Sequence, residues 1–338
     1  MLSQQEISHD STMRLPEASG THAVVIGSSI AGLMAAWVLS EHFARVTVVE
    51  RDWLPDGPAY RKGVPQAHHA HTLLPQGQMI LEQQFPGLVD ELLAGGAIAI
   101  DVARDIAFFE AGAWHTPRAR DVKVSIACSR PLLENAIYHR VASRANVHIM
   151  PGYETLGLQA GERRERVTGV RIRRRRAGAA EAVLAAELVV DASGRQSQAP
   201  QWLYSLGYTP PEEWAINSFT GYATRSYRRP AGFNDGWKTL YVRPTPADGT
   251  RGGIILPMEG ERWHVTLIGV AGDYPPTDEQ GFLAFARSLP TPRLHEAIEG
   301  AEPLTKPSGF RRTENRVRRY DLEFRAQKAG SLITLAKI

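Results

Sequence analysis

The chain has 338 residues, of which 43% are hydrophobic and 22% charged, enough to bury the cores of about two domains. Its net charge of +3 is a small excess of 39 Lys and Arg over 36 Asp and Glu, and no aromatic platform or known module accompanies the arginine runs at 173–176 and 311–319, so nucleic acid is not an expected partner. The single cysteine, Cys128, excludes an intrachain disulfide framework and favours a reducing compartment, so we expect a cytoplasmic protein.

The first 20 residues are predicted to form a disordered tail. They have neither the charged start nor the apolar run of a signal peptide. No stretch of the chain approaches the apolar length of a membrane span, so we expect none.

A strand, turn, helix and strand follow the tail. Residues 22–26 form a short apolar run, residues 27–32 a turn of small residues, residues 33–40 a helix and residues 45–50 a second strand. This order predicts a βαβ unit with parallel strands, and hence an α/β fold.

The turn has the composition of a dinucleotide-binding loop. Gly27 allows a tight turn out of the strand and Gly32 allows the helix to pack closely on the sheet. The backbone amides at Ser29, Ile30 and Ala31 would face a pyrophosphate at the start of the helix. Ser29 stands where the GxGxxG pattern has glycine, and a glycine turn of another α/β protein is the alternative interpretation.

The second strand ends in a carboxylate. Glu50 stands where an acidic residue accepts hydrogen bonds from a ribose in dinucleotide-binding proteins. Together with the turn, it predicts a nucleotide site.

The rest of the first lobe mixes helices and strands. Residues 51–77 are rich in Pro, Gly and His and are predicted to form a long functional loop. A helix over 78–94 is interrupted at Pro86, and a convincing helix covers 132–144. A strand at 147–150 precedes a β-meander, made of 167–173 with 187–190, which returns to the sheet and ends in the motif DASGR at 191–195.

The chain changes character after about residue 200. Strand-forming segments lie at 218–227, 238–242, 253–257 and 262–270, with a hairpin turn at 259–261 and helices at 278–288 and 292–299. We therefore expect an α/β protein with a Rossmann-like domain carrying a β-meander and a second, mainly antiparallel sheet. The predicted division is a tail at 1–20, a nucleotide-binding domain at 21–200, a substrate domain at 201–310 and an incomplete return to the first domain at 311–338.

Five motifs in order resemble one family. They are GSSIAG at 27–32, ERD at 50–52, RKGVPQAHHAH at 61–71, CSRPLLE at 128–134 and DASGR at 191–195. Together they resemble the FAD-dependent monooxygenases of the para-hydroxybenzoate hydroxylase and squalene epoxidase type. The segments at 61–71 and 128–134 are most similar to bacterial flavin epoxidases of polyether biosynthesis.

The resemblance implies a set of FAD contacts. Glu50, with the neighbouring Arg51, would bind the adenosine ribose, Arg130 would reach the phosphate or ribityl region, and Asp191 would contact the cofactor near its pyrophosphate. A guanidinium suits phosphate oxygens, and an arginine that begins a surface helix is the alternative interpretation of Arg130. Asp191 also has the sequence context of an ordinary strand-end turn.

The loop at 61–71 is expected beside the flavin ring. The resemblance suggests that Arg61, Gln66 and His68 supply hydrogen bonds or positive charge there. Three histidines within four residues, with no carboxylate or cysteine to complete the set, fit a metal site poorly, so no metal is expected.

The resemblance also implies the chemistry. NAD(P)H would reduce the flavin, and one oxygen atom would pass from a flavin hydroperoxide to an apolar small molecule by epoxidation or hydroxylation. Nicotinamide would bind transiently or to a separate flavin reductase, because no second glycine-rich βαβ unit follows residue 50. An alkene reductase is an alternative, and the absence of the halogenase motif WxWxI makes halogenation less favoured.

No catalytic acid or base stands out in the sequence. Cys128 is expected to be a small buried apolar residue. The pocket for the substrate is expected between the ring and the second sheet, where Tyr222, Ile254, Leu256 and Trp263 would line it or belong to the core.

The end of the chain departs from the family. Its relatives continue with a strand that ends in Gly-Asp, but here Ala336 and Lys337 stand at that point. Lysine cannot accept the hydrogen bonds of a ribityl chain as a carboxylate does. A truncated, non-catalytic member of the family is therefore a second hypothesis.

Overall fold

A computed structural model describes residues 20–115, 124–162, 166–245, 249–320 and, for the backbone alone, 332–334. The predicted tail at 1–20 lies outside this range except for its last residue, and so do Ala336 and Lys337. Among the described residues, no helix is long and apolar enough to cross a membrane.

The described helices and strands alternate in the first half of the chain and are mostly strands in the second. The strands are β1 (Gly20–Ile26), β2 (Phe43–Glu50), β3 (Ile98–Asp101), β4 (Ile106–Glu110), β5 (Ala113–His115), β6 (Val124–Ala127), β7 (Val147–Pro151), β8 (Tyr153–Ala160), β9 (Val167–Arg174), β10 (Glu181–Ala185), β11 (Leu188–Asp191), β12 (Glu213–Ile216), β13 (Gly221–Arg228), β14 (Thr239–Val242), β15 (Arg251–Met258), β16 (Arg262–Gly269), β17 (Ser308–Phe310), β18 (Asn315–Arg318) and β19 (Leu332–Thr334). The helices are α1 (Ile30–Leu39), α2 (Pro75–Gln84), α3 (Leu88–Ala94), α4 (Arg130–Ala142), α5 (Ala199–Ser205), α6 (Glu279–Arg287) and α7 (Arg293–Glu299).

The chain divides into two compact units. Unit 1 takes its described residues from 1–50, 141–206 and 329–338, and unit 2 takes its own from 51–140 and 207–328. These units are defined by compactness alone, so the functional domain boundaries given above stay predictions.

Unit 1 is built on a parallel sheet. Its order is β19-β11-β1-β2-β7, with every neighbouring pair parallel. Residues 23–26, 46 and 48–49 are almost fully buried apolar residues, as expected for strands that are covered on both faces. Helix α1 contacts β1, β2 and β11 and buries Leu33 and Ala36. The predicted βαβ unit is therefore confirmed.

A three-stranded antiparallel meander completes unit 1. It has the order β10-β9-β8, and its third strand is 181–185. The expectation that 187–190 forms part of the meander is wrong, because residues 188–191 pair in parallel with β1 inside the main sheet. The short strand β10 was missed because its side chains are mostly exposed, with Val183 55% exposed, and show no buried face.

Unit 2 is built on a mainly antiparallel sheet, as the sequence predicts. Its order is β17-β13-β16-β15-β14-β4-β5, and the single parallel pair within it is β14 with β4. Side chains alternate between the two faces. One face packs on α6 and α7 through a core that includes Trp263, Ile255, Phe282 and Leu294. Two smaller pairs, β3 with β6 and β12 with β18, also belong to unit 2.

The helical region of unit 2 is broken as predicted. Helix α2 ends at Gln84, Pro86 follows, and Gly87 adopts φ +78° before α3 begins. Proline cannot continue a helix without losing a hydrogen bond, and glycine tolerates the left-handed conformation. The long loop before α2 contains one helical turn, Pro65–His68.

Candidate functional site

The turn between β1 and α1 depends on its two glycines. Gly27 has φ +98°, and a Cβ there would lie 2.8 Å from the carbonyl oxygen of Ala192. A Cβ on Gly32 would overlap the carbonyl oxygen of Gly27. Both glycines are therefore required by close backbone packing, in the way the sequence predicts.

Ser29 is compatible with the turn. It has φ −79° and ψ −179°, which is extended backbone that any residue adopts, and its carbonyl accepts a hydrogen bond from Leu33 N at 2.9 Å. Ile30 and Ala31 form the first turn of α1, which contains no acidic residue. The positive end of the helix dipole is consequently not neutralised by a carboxylate of its own first turn.

Glu50 is buried at the end of β2. It is 4% exposed, and its Oε2 accepts hydrogen bonds from Ser28 N at 2.9 Å and Ser28 Oγ at 2.7 Å. A buried carboxylate needs such donors to offset its lost hydration. The acid is thereby held directly against the glycine turn.

Asp191 is buried at the end of β11. It is 1% exposed and accepts hydrogen bonds from Ser193 N at 3.0 Å, from Ser193 Oγ at 2.5 Å and from Ser197 Oγ. These bonds are those of the strand-end turn that was the alternative interpretation, and they also fix the carboxylate in place.

These residues of unit 1 lie at one edge of the sheet. Ile26 is aligned with Asp191 on one side and with Val49 on the other, and Gly27 N donates to the carbonyl of Val49 at 2.8 Å. The structure thus brings the turn, Glu50 and Asp191 together at the carboxyl ends of three adjacent parallel strands. Ligands of open α/β sheets bind at such an edge.

Arg61 and Arg130 meet at one carboxylate in unit 2. Glu134 Oε1 accepts from Arg61 Nε at 3.0 Å and Nη2 at 2.5 Å, and Glu134 Oε2 accepts from Arg130 Nε at 3.3 Å. Arg61 Nη1 also lies 4.0 Å from Asp52 Oδ2. Arg51, in contrast, is an exposed residue immediately after β2. Glu134 closes the motif at 128–134, but it is not among the site residues predicted from the sequence.

Gln66 and His68 lie on the helical turn of the loop. His68 stacks on Tyr60 with ring centroids 4.3 Å apart and planes 17° apart. The carbonyl of Gln66 accepts a hydrogen bond from His69 N at 3.1 Å. Their expected place beside a flavin ring stays a prediction.

His69 joins the loop to the second sheet. Its Nδ1 lies 2.8 Å from Thr224 Oγ1, which lies 2.7 Å from Thr266 Oγ1, and Ala70 N donates to that same Thr266 oxygen at 3.3 Å. Burial, together with the nearby His68 and His71, lowers the pKa of His69 to about 4. The ring is therefore neutral at pH 7.

His264 is a second buried histidine on this side of the sheet. It is 5% exposed on β16, and burial, with smaller contributions from surrounding histidines and Arg262, lowers its pKa to about 3. His264, Thr224 and Thr266 are not among the site residues predicted from the sequence. Only strand pairing brings them to the loop, and no local motif marks them.

Two features of the described residues concern the predictions for a metal and for Cys128. Within them, no group of three or more His, Cys, Asp or Glu side chains has an arrangement that could hold a metal ion. Burial, and next the charge of Glu259, raise the pKa of Cys128 to about 12, so its thiol stays protonated.

The four residues expected near a substrate lie on two different faces of the second sheet. Trp263 is 1% exposed and belongs to the core against α6 and α7. Tyr222, Ile254 and Leu256 lie on the opposite face, where Ile254 pairs with Thr266 and with Tyr241. We call this opposite face the open face. Its centre consists of half-buried apolar side chains, which lie beside the hydrogen-bonded pair Thr224 and Thr266.

Solved structures of flavoenzymes share the fold of this chain. PqsL, a probable FAD-dependent monooxygenase from Pseudomonas aeruginosa, is 15% identical with a TM-score of 0.61, and the match covers 86% of this chain and 73% of PqsL. The flavin-dependent brominase Bmp2 is 15% identical with a TM-score of 0.62, and the match covers 86% of this chain and 67% of Bmp2. At these identities the likeness shows the fold alone.

Comparisons of sequence are more informative. Protein Rv3254 from Mycobacterium tuberculosis is 36% identical over 308 residues, which are 89% of this chain, and the chain spans 64% of that protein's length. The model of the family described as FAD dependent oxidoreductase matches residues 23–197, just over half of the chain, including the turn, Glu50 and Asp191. The chain therefore belongs to the FAD-dependent oxidoreductase family.

Proposed function

We propose that the chain is a monooxygenase that binds FAD, uses NAD(P)H as reductant, and transfers one oxygen atom from O2 to an apolar small molecule by epoxidation or hydroxylation. The observation that carries the proposal is the edge of the parallel sheet in unit 1. There the glycine turn, Glu50 and Asp191 lie on three adjacent strand ends. When bound, FAD supplies the redox chemistry.

The residues of unit 1 fit the adenosine and pyrophosphate part of FAD. The turn keeps its backbone free of Cβ atoms at Gly27 and Gly32, and α1 begins with no acidic residue, which suits a diphosphate. Glu50 would accept hydrogen bonds from the ribose, and its contact with Ser28 sets its orientation. Asp191 would orient the neighbouring cofactor atoms.

The residues of unit 2 would bind and orient the substrate. The open face offers Tyr222, Ile254 and Tyr241 as an apolar surface, with the neutral His69 and its two threonines beside it. An apolar substrate gains binding energy from such a surface, and the few polar groups would fix its orientation. Arg61, Gln66, His68 and Arg130 are proposed as the cofactor contacts of this unit.

Oxygen transfer is preferred to halogenation. The fold is shared with both the monooxygenase PqsL and the brominase Bmp2. The sequence, however, contains no WxWxI motif. An alkene reductase remains the competing activity, and a requirement for oxygen distinguishes the two.

The test uses the purified full chain. A yellow protein that binds FAD and consumes oxygen with NADH or NADPH supports the proposal, and alkene and phenolic substrates then separate epoxidation from hydroxylation. Alkene reduction without oxygen would replace oxygen transfer by the reductase activity. A protein that fails to bind added FAD would contradict the proposal altogether.

A further inference from the structure

Glu134 is a largely buried carboxylate shared by two arginines. Its side chain is 13% exposed, that of Arg61 8% and that of Arg130 17%. Oε1 accepts both Nε and Nη2 of Arg61, while Oε2 accepts Nε of Arg130. The two oxygens of one carboxylate thus hold two different guanidinium groups.

The arrangement follows from local structure. Glu134 and Arg130 are four residues apart on α4, so they share one face of the helix, and Arg61 reaches them from the loop 73 positions earlier. Arg61 also faces Asp52, whose Oδ2 accepts Gly63 N at 2.6 Å and so anchors the loop. Two largely buried cations that share one carboxylate would repel each other if that carboxylate were removed.

Holding an arginine through Nε has a chemical consequence. The guanidinium group is planar, so a fixed Nε–H bond fixes the direction of the whole donor fork. A fork whose direction is set in advance loses less entropy when it binds a phosphate. Glu134 would therefore act on a ligand through Arg130 and Arg61 without touching it.

We propose that Glu134 is a positioning residue for FAD binding, which orients Arg130 and Arg61 as one group. This inference rests on the proposed function. It assigns a role to a residue whose hydrogen bonds to Arg61 and Arg130 lie within unit 2, and the role concerns affinity for FAD, so it is separable from turnover.

The substitution Glu134→Gln tests it most directly. Glutamine has the same size, but one of its two terminal atoms is an NH2 group, which cannot accept from a guanidinium. One arginine is released, and we expect the FAD dissociation constant to rise about tenfold or more, the size typical of a lost charged hydrogen bond. Glu134→Asp keeps the charge but is one methylene too short to hold both arginines, and it is expected to weaken binding as well.

The matched control lies on the same helix. Arg140, near the end of α4, binds Glu91 through Nε at 3.0 Å and Nη2 at 2.6 Å, a pair that is more exposed. Glu91→Gln makes the same chemical change to a similar bidentate pair. We expect it to leave the FAD dissociation constant unchanged.

A double-mutant cycle separates positioning from general support of the fold. If Glu134 acts through Arg130, then Glu134→Gln should weaken FAD binding much less in an Arg130→Met background than in the wild type. The FAD dissociation constants of the wild type, E134Q, R130M, the double variant and the control E91Q are measured by titration and monitored by flavin fluorescence.

The outcomes distinguish the two proposals. Wild-type protein that binds FAD, with E134Q and E134D binding equally well, overturns the role of Glu134 and leaves the proposed function standing. Equal losses from E134Q in the wild-type and Arg130→Met backgrounds overturn the proposal that Glu134 orients the two arginines as one group. Wild-type protein that does not bind FAD overturns both.

Discussion

Gly32 and Glu50 are the residues on which the nucleotide site proposed in unit 1 depends most. Gly32 lets α1 lie against the carbonyl of Gly27, and Glu50 is held against the turn by Ser28. Gly32 is needed because it leaves space for the backbone, and Glu50 is needed because of its charge. The two roles can therefore be tested separately, by adding a methyl group at Gly32 and by replacing the carboxylate of Glu50 with an amide.

Gly32→Ala should disrupt the turn. The new Cβ would overlap the Gly27 carbonyl, so α1 must shift away from the sheet. We expect a loss of about 1–3 kcal/mol in the free energy of unfolding, measured by urea titration, and loss of FAD binding. Gly57→Ala is the control, because a Cβ there meets no atom within 4 Å. Wild-type stability and FAD affinity in G32A would contradict the role of the turn.

Glu50→Gln should weaken FAD binding without unfolding the protein. The amide oxygen still accepts from Ser28 N, but it is a weaker acceptor for ribose hydroxyls than a carboxylate. We expect the FAD dissociation constant to rise about tenfold, with the melting temperature of the apoprotein changed by only a few degrees. Glu154→Gln, which removes the partner of Arg173 on the β8–β9 pair, is the control. Equal FAD affinities in E50Q and E154Q would refute the assignment.

At the level of elements, the link between the loop and the second sheet should be sensitive to acid. His69 has a pKa lowered from 6.5 to about 4, so the unfolded chain takes up its proton first. The stability that the neutral ring contributes is present above pH 6.5 and is lost as the pH falls toward 4. The pKa of His264 is lowered to about 3, so its neutral ring also loses its contribution to stability as the pH falls, over a wider pH range.

Replacing His69 should remove part of this pH dependence. Between pH 7 and pH 5, the shift of His69 corresponds to about 2 kcal/mol of unfolding free energy. We therefore expect His69→Gln to lose less stability over that interval than the wild type, as measured by urea titration at both pH values. His115→Gln, at an exposed position, should behave as the wild type. An unchanged pH dependence in H69Q would show that the ring does not titrate as inferred.

The two faces of β15 should respond differently to the same truncation. Ile255 is fully buried in the core, and Ile255→Ala should cost about 2–5 kcal/mol of unfolding free energy. Ile254 is half-buried on the open face, so Ile254→Ala should cost less. If this face binds substrate, I254A should raise KM for an apolar substrate while FAD affinity stays at the wild-type value. Unchanged KM in I254A would exclude this face as the substrate surface.

The sequence predicts local elements better than distant pairings. The βαβ unit, the broken helix at Pro86 and α4 have signals within a few residues, and each is present. The parallel pair of β4 and β14 joins segments more than 130 residues apart, and β4 was not predicted. For the same reason, Glu50 and Asp191 could be named from motifs, whereas His264 and the bridging role of Glu134 required the three-dimensional structure.

At the scale of the whole molecule, FAD should stabilise the chain. Unit 1 is assembled from three separate segments, and the cofactor contacts proposed within this unit lie on two of them, at 27–50 and at 191. A ligand that binds only the folded state at about 100 times its dissociation constant adds about 2.7 kcal/mol. The melting temperature should therefore rise with FAD concentration, and it should rise less in E50Q at the same concentration.

The most direct measurement is a titration of the purified full chain with FAD, followed by flavin absorbance and fluorescence, before and after addition of NADH or NADPH in air. We predict saturable binding at one FAD per chain, followed by oxygen-dependent oxidation of the nicotinamide. A chain that stays colourless and leaves the flavin spectrum unchanged at every FAD concentration would contradict the account.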